Sequence, residues 1–173
     1  TILVILTINQ LWHIWQIKLL KNPSGKKKFL FLGRKSNQFQ ILTTNYQTSM
    51  VVPESLLYSK DHEWLRVEGE FAYVGITDFA QGELGDIVFV EIETLGETLK
   101  KEEVFGTIEA VKTVSDLFMP VGGEIVEVNP YLENSPDIVN KDPYGNGWMI
   151  RIKITNPDEI GELLSSEKYR SML

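Results

Sequence analysis

One lysine stands where its amine could do chemistry. Apolar residues run up to Val111 and resume at Val114, so Lys112 and Thr113 fall at the reversal of a predicted β-hairpin. The apex of a hairpin holds a side chain out in solvent on a rigid base, as the covalent attachment of a carried group requires. From the spacing alone, an ordinary solvated lysine in a turn is the simpler description of Lys112.

The composition excludes several other kinds of chemistry. The chain of 173 residues has no cysteine and two histidines, His13 and His62. A disulfide framework, a zinc–cysteine site, an iron–sulfur cluster, a cysteine nucleophile and a multi-histidine metal site are therefore excluded. No Ser/His/Asp set or phosphate-binding loop supports a free-standing enzyme. The net charge of −7 gives no support for nucleic acid as a partner.

Short strands separated by glycine-bearing turns must position the lysine. Between residue 56 and the end of the chain, the periodicity predicts strands at 62–67, 71–76, 87–92, 103–111, 114–119, 124–129 and 148–154. Thr77 is a predicted cap for a short helix, 78–83, that ends at Gly85. Strands this short and this closely spaced favour a small sandwich or barrel.

Three finer expectations follow from the same patterns. The alternation of Val88, Val90 and Ile92 predicts that these side chains share one face of a strand. The echo between residues 85–90 and 123–128 indicates two similar β units packed on each other. A C-terminal helix is predicted from Asn156, with an apolar stripe at residues 160, 163 and 164.

The charge changes sharply near residue 50. Residues 1–50 carry seven basic residues and no acid, whereas residues 51–173 carry ten basic and all 24 acidic residues, a net charge of −14. Such a break marks a domain boundary. Residues 1–17 are short for a membrane span and have polar interruptions, and the basic residues follow the apolar run, unlike a secretory signal.

We therefore interpret residues 1–49 as a non-native or disordered N-terminal extension and residues 50–173 as the functional domain. Translation of sequence upstream of the true start would look like this, and Met50 stands where a native chain could begin. An organellar transit peptide is the alternative, because it fits the missing acids, although one arginine among seven basic residues fits it poorly.

Several motifs in one collinear order, from about residue 52 to residue 173, resemble the H proteins of glycine cleavage systems. They are His-Glu-Trp at 62–64, Gly-Ile-Thr-Asp-Phe-Ala at 75–80, Leu-Gly-Asp-Ile-Val-Phe-Val at 84–90, the stretch 105–116 around Lys112, Asn-Lys-Asp-Pro-Tyr-Gly at 140–145, Gly-Trp at 147–148 and the closing helix. Residues 1–49 show no such resemblance. The agreement of several motifs over this length makes the resemblance specific.

The resemblance implies a fold, a cofactor and a role. The family has a mainly β fold, a lipoyl/biotinyl-type flattened β barrel (a barrel-sandwich hybrid) with a C-terminal helix. Its lysine in the E-x-V-K-x-x-S-D hairpin is amide-linked to lipoic acid, and that lysine corresponds to Lys112. The implied role is that of a carrier protein and not of an enzyme.

The resemblance also implies partners. The P protein, a pyridoxal-phosphate glycine decarboxylase, loads the aminomethyl group of glycine onto the lipoyl arm. The T protein, an aminomethyltransferase, passes the one-carbon unit to tetrahydrofolate, and the L protein, a dihydrolipoyl dehydrogenase, reoxidises the dithiol. Lipoate-attaching enzymes are further partners. We expect a monomer with no nucleic-acid or membrane partner.

The resemblance also implies a surface cleft that receives the loaded arm, and three residues match the family positions that line it. They are Glu63 of the His-Glu-Trp motif, and Ser115 and Asp116 after the lysine. A carboxylate is a suitable partner for the protonated amine of the cargo, although ordinary surface acids are the alternative. We expect His62 to pack or hydrogen-bond, and Trp64 and Trp148 to lie in the core.

Other functions remain open from the sequence. A biotin carboxyl carrier would have Met-Lys-Met, and a lipoyl domain of a 2-oxo-acid dehydrogenase would have Asp-Lys-Ala, where this chain has Val111-Lys112-Thr113. A relay role that donates lipoyl groups to other complexes cannot be separated from glycine cleavage by sequence. We expect a bacterial cytoplasmic location, or a mitochondrial one if residues 1–49 are a genuine transit peptide.

Overall fold

The computed structural model describes residues 15–21, 27–35, 38–45 and 50–173. The chain divides into two units, Thr1–Ser49 and Met50–Leu173. The backbone of the first unit forms a three-stranded antiparallel sheet of β1 (Trp15–Lys21), β2 (Lys27–Lys35) and β3 (Gln38–Asn45). The remaining residues of the N-terminal segment lie outside the described residues. That the segment is foreign to the functional protein stays a prediction.

The second unit is mainly β. Its strands are β4 (Leu57–Tyr58), β5 (Glu63–Glu68), β6 (Phe71–Ile76), β7 (Ile87–Glu91), β8 (Thr98–Leu99), β9 (Val104–Ala110), β10 (Thr113–Phe118), β11 (Gly123–Val128) and β12 (Ile150–Ile154). Its helices are α1 (Asp78–Leu84), α2 (Ile138–Lys141), a 3-10 helix (Pro157–Glu162) and α3 (Ser166–Met172). Thr77 caps α1, and Gly85 ends it with a φ of 88°, as predicted.

Two antiparallel sheets enclose the core of this unit. The large sheet has the order β4-β5-β6-β12-β11-β8, and the small sheet has the order β10-β9-β7. Buried side chains from both sheets form one cluster, for example Val74 and Ile152 from the large sheet and Ile108 and Leu117 from the small one. The hydrogen bonding does not close into a continuous barrel, so the predicted flattened barrel with a C-terminal helix is confirmed in the form of a sandwich.

The internal echo corresponds to two strands with the same irregularity. The register of β7 against β9 shifts between Ile87 and Phe89, and that of β11 against β12 shifts between Ile125 and Glu127. These two places match each other in the echo, one in each sheet. The prediction that Val88 and Val90 share one face of this strand is wrong, because Val88 is 48% exposed whereas Val90 is buried. The bulge in β7 is the reason, since it breaks the alternation of the two faces.

The predicted single C-terminal helix is also wrong in its extent. The 3-10 helix ends at Glu162, and α3 begins only at Ser166. Between them, Leu164 exchanges two backbone hydrogen bonds with Tyr58, at 3.0 and 2.8 Å. This pairing requires extended backbone, so the first helix cannot continue, and Ser165 then caps the second one.

Candidate functional site

Lys112 lies at the apex of the hairpin formed by β9 and β10. Ala110 pairs with Thr113, so the two-residue loop is Val111-Lys112, one residue earlier than predicted. Both loop residues are exposed, and Val111 is 70% exposed. The backbone N–H of Val111 donates to the carbonyl of Asp86 at 3.1 Å, which ties the loop to the segment that precedes β7.

The base of the hairpin is held on both sides. β9 is the central strand of the small sheet, paired with both β10 and β7. Its inward-facing residues Ile108 and Ala110 are buried in the unit's interior. Gly106 approaches the next strand so closely that a Cβ there would lie 2.5 Å from the backbone oxygen of Glu91. The exposed lysine therefore stands on a rigid support.

A cleft of about 290 Å³ adjoins β10. Glu63, Ser115 and Asp116 all line it, so the three predicted cleft residues are brought together. Ser115 and Asp116 both lie on β10, three and four residues after the lysine of the loop. The opposite wall, which the sequence analysis does not identify, is formed by residues 79, 80, 83 and 84 of α1. Their i and i+4 spacing on a capped helix was the signal that could have found it.

Of the four acids that line the cleft, Glu63 and Asp116 are the two predicted from the sequence, and their surroundings differ. Glu63 is 2% exposed, and its carboxylate accepts hydrogen bonds from the Ser59 hydroxyl and from the backbone N–H of Phe118, the latter at 3.2 Å. Burial raises the pKa of Glu63, against the opposing effect of these hydrogen bonds. Asp116 is exposed. Glu63 thus links β5 to β10. Asp116 is accessible from solvent, as are Asp61 and Glu83, the other two acids of the lining.

His62 packs and hydrogen-bonds, as predicted. Its Nδ1 lies 2.8 Å from the hydroxyl of Tyr169, and its ring lies 4.7 Å from the ring of Phe79, centroid to centroid. The residue has a φ of 73°, in the left-handed region that non-glycine residues seldom adopt. Its ring lines the cleft beside Glu63.

Burial lowers the pKa of His62 below its usual 6.5, with Asp61 and Glu83 opposing the shift. The folded state therefore binds a proton at His62 less tightly than the unfolded state does. The contribution of neutral His62 to the free energy of unfolding is present above pH 6.5 and is lost as the pH falls through the lowered pKa. We expect the free energy of unfolding of the wild type to fall more steeply from pH 7.5 to about 5.5 than that of His62→Gln. Urea titrations at both pH values measure this, and equal slopes for the two proteins would contradict it.

The two tryptophans of the motifs lie in or beside the core. Trp64 is fully buried, and its Nε1 donates to the carbonyl of Pro143 at 3.0 Å. Its ring covers Gly75, where a Cβ would lie 2.7 Å away. Trp148 is half-buried, and its ring meets that of Tyr73 edge-on at 5.2 Å. The core position predicted for Trp64 is confirmed, and Trp148 packs at the edge of the buried cluster that contains Trp64.

The part of the chain that the structure describes has neither a metal-binding cluster nor a membrane-spanning helix. There, no group of three or more His, Cys, Asp or Glu side chains is arranged to hold a metal ion. None of the helices in that part has the length and apolar character needed to cross a membrane.

Comparisons with known proteins agree on one family. The family model described as "Glycine cleavage H-protein" matches residues 56–173. The glycine cleavage system H protein of Bacteroides fragilis is 58% identical over 124 residues, which are 72% of this chain and 98% of that protein. The H protein of Salinibacter ruber is 60% identical over 120 residues, which are 69% of this chain and 97% of that protein.

A solved structure has the same fold. The crystal structure of a glycine cleavage system H protein from Mycobacterium marinum matches with a TM-score of 0.63 and 39% identity, over 69% of this chain and 97% of that one. Together with the family model, this match shows that the second unit has the fold of a known group of carriers. The chain belongs to the glycine cleavage H-protein family, whose members are lipoyl carriers of the glycine cleavage system and not enzymes.

Proposed function

We propose that Lys112 is the lysine that carries lipoic acid and that the adjoining cleft shelters the loaded arm. One observation supports this most strongly: Lys112 is exposed in a two-residue loop on a hairpin whose central strand is paired on both sides. The test is the intact mass after incubation with a lipoate-attaching enzyme, lipoic acid and ATP. We expect one lipoyl group per chain, and an unchanged mass would contradict the proposal.

The residues that line the cleft beside Lys112 fit a lipoyl group. A lysine with a lipoyl chain reaches about 10–14 Å from the backbone, counting bonds of ordinary length. The cleft begins three residues from Lys112, within that reach, and combines apolar lining from Ile76, Leu84 and Leu117 with the polar Ser115. Apolar walls suit the hydrocarbon part of the arm, and the polar residues suit a charged cargo.

The chain's own residues have distinct roles in this proposal. When bound, the lipoyl group supplies a disulfide that accepts the aminomethyl group. Asp116 offers an accessible carboxylate to the protonated amine of that cargo, and Ser115 offers a hydroxyl beside it. Glu63 holds β10 against β5, because its carboxylate accepts a hydrogen bond from the backbone N–H of Phe118. The walls exclude water from the carbon that would otherwise be hydrolysed.

Membership of the family implies interaction with the P, T and L proteins of the glycine cleavage system. We propose that the chain meets each of them as a monomer and that lipoate-attaching enzymes recognise Lys112 on its hairpin. A tether on a rigid base presents one group to several active sites at high effective concentration. The net charge of −14 on residues 51–173 supports steering toward basic surfaces on these partners.

We propose a cytoplasmic location in a bacterium. The bacterial sources of the similar H proteins support it. A mitochondrial location is the alternative if residues 1–49 are a genuine transit peptide.

Residues 1–49 are proposed to be dispensable for the carrier role. The contacts that anchor the start of the second unit begin at Val51, whose N–H donates to Asp78 at 2.9 Å and whose carbonyl accepts from the Tyr144 hydroxyl at 2.7 Å. Arg170 donates to the carbonyl of Val52 at 2.6 Å. We therefore expect a chain that starts at Met50 to keep full lipoylation and the full melting temperature.

The matched control is a chain that starts at Glu54, which removes these anchoring contacts and the buried Val52. We expect this shorter chain to melt several degrees lower, because it loses hydrogen bonds and buried apolar area. Thermal melts and intact masses of both truncations measure the difference. A chain from Met50 that melts as low as the shorter one, or that loses lipoylation, would contradict the proposal.

A further inference from the structure

One buried hydroxyl lies between two hydrogen-bonding partners near the cleft. The Tyr169 hydroxyl of α3 is 2.8 Å from Nδ1 of His62 and 2.8 Å from the hydroxyl oxygen of Thr77. Tyr169 is fully buried, and its ring stacks on that of Tyr58 at 4.6 Å, with the planes 13° apart. The C-terminal helix therefore places one polar atom at a fixed position in the interior.

The two partners belong to opposite sides of the cleft. His62 lines the cleft next to Glu63. Thr77 is the N-cap of α1, where its hydroxyl also accepts from the backbone N–H of Ala80 at 3.2 Å. Phe79 and Glu83, on the helix that starts at this cap, line the other wall. The Tyr169 hydroxyl thus bridges the His62 ring on one side and the side chain that caps α1 on the other.

The strained backbone of His62 gives the hydrogen bond between its ring and the Tyr169 hydroxyl a structural role. A left-handed φ of 73° is costly for a residue with a Cβ, and it persists only where the surroundings hold it. The surroundings here are the bond to Tyr169, the packing against Phe79 and the bond from the Thr77 N–H to the His62 carbonyl at 2.9 Å. Loss of the Tyr169 hydroxyl removes the one contact that fixes the ring nitrogen.

We propose that Tyr169 is a positioning residue of the cleft: its hydroxyl fixes the His62 ring relative to the Thr77 side chain, so the docking of the C-terminal helix determines how well the cleft shelters the loaded arm. The inference rests on the proposed function of the cleft, because shelter has meaning only if the arm enters it. Tyr169 itself does not line the cleft, and it acts through its two partners.

The experiment compares Tyr169→Phe with Tyr58→Phe. Tyr58 is the other ring of the same stack, is also fully buried, and donates its hydroxyl to the carbonyl of Pro53 at 2.6 Å. Each variant loses one buried hydroxyl and keeps the ring, so both should lose stability to a similar degree. Only Tyr169→Phe changes a bond that reaches the cleft.

Two measurements are made on both variants. In the unmodified protein, two-dimensional ¹H–¹⁵N NMR should show shifted amides at His62, Phe79 and Glu83 and faster hydrogen exchange at the Ala80 amide for Tyr169→Phe only. In the aminomethyl-loaded protein without T protein, Tyr169→Phe should release formaldehyde about fivefold faster than wild type, the factor that matches one lost hydrogen bond. Tyr58→Phe should release it at the wild-type rate.

Equal behaviour of the two variants in both measurements would overturn the inference. Changed amides with a wild-type release rate would also overturn it, since the walls would then move without effect on the cargo. The cleft residue Asp116 separates this failure from a failure of the proposed function. If Asp116→Asn speeds release and Tyr169→Phe does not, only the role of Tyr169 is wrong, whereas wild-type release in both means that the cleft does not shelter the arm.

Discussion

Replacing Lys112 with arginine will abolish lipoylation and, with it, all carrier activity. Arginine keeps the positive charge but cannot form the lipoyl amide. The residue is exposed at the hairpin apex, so the melting temperature should stay within about 2 °C of wild type. Glycine–bicarbonate exchange in the presence of the P protein, intact mass and a thermal melt measure the three quantities.

The matched control is Lys100→Arg, an exposed lysine outside the hairpin. It should be lipoylated and active like the wild type. Retained exchange activity in Lys112→Arg, or a lipoyl group on another lysine of that variant, would refute the role of Lys112. A large fall in its melting temperature would contradict the description of the apex as a tolerant, solvent-exposed position.

The second large effect is expected from Asp116→Asn, which keeps the shape of the side chain and removes its charge. Lipoylation at Lys112 should be unaffected, but the aminomethyl-loaded protein should hydrolyse on the order of tenfold faster, as expected when a sheltered charge-assisted contact is lost. The measurement is formaldehyde release over time with the T protein absent. Decay at the wild-type rate would mean that Asp116 is an ordinary surface acid.

Asp158→Asn is the matched control, because this aspartate is exposed and lies outside the cleft lining. It should decay at the wild-type rate. Glu63 is unsuitable as a comparison, since both of its carboxylate oxygens already have partners in Ser59 and Phe118. Its removal would disturb the junction of β5 and β10 as well as the cleft, and a faster decay would then have two causes.

The parts of the fold that depend on local sequence could be predicted. Thr77 and Gly85 bound α1 because a side-chain cap and a positive φ are satisfied by the residue types themselves. The strand Phe71–Ile76 has its predicted limits. The hairpin around Lys112 follows from two apolar runs and a short polar interruption, although the loop lies one residue earlier than predicted.

The parts of the fold that depend on contacts between distant residues could not be predicted from the sequence. The C-terminal helix is interrupted because Leu164 pairs with Tyr58, 106 positions earlier in the chain, and no local pattern reports that pairing. The bulge in β7 exposes Val88 although the alternation favours burial. The family resemblance assigns Glu63 to the cleft, but its burial depends on the meeting of β5 and β10 in the fold, where the N–H of Phe118 donates to its carboxylate.

The central claim is that one particular lysine carries the lipoyl group. Site-resolved mass spectrometry of peptides from the full chain, lipoylated by its attaching enzyme, tests it most directly. The peptide that contains residues 105–117 should carry the lipoyl mass with the fragment ions placing it on Lys112, and every other lysine should be unmodified. A lipoyl group located on any other lysine, with Lys112 unmodified, would contradict the claim.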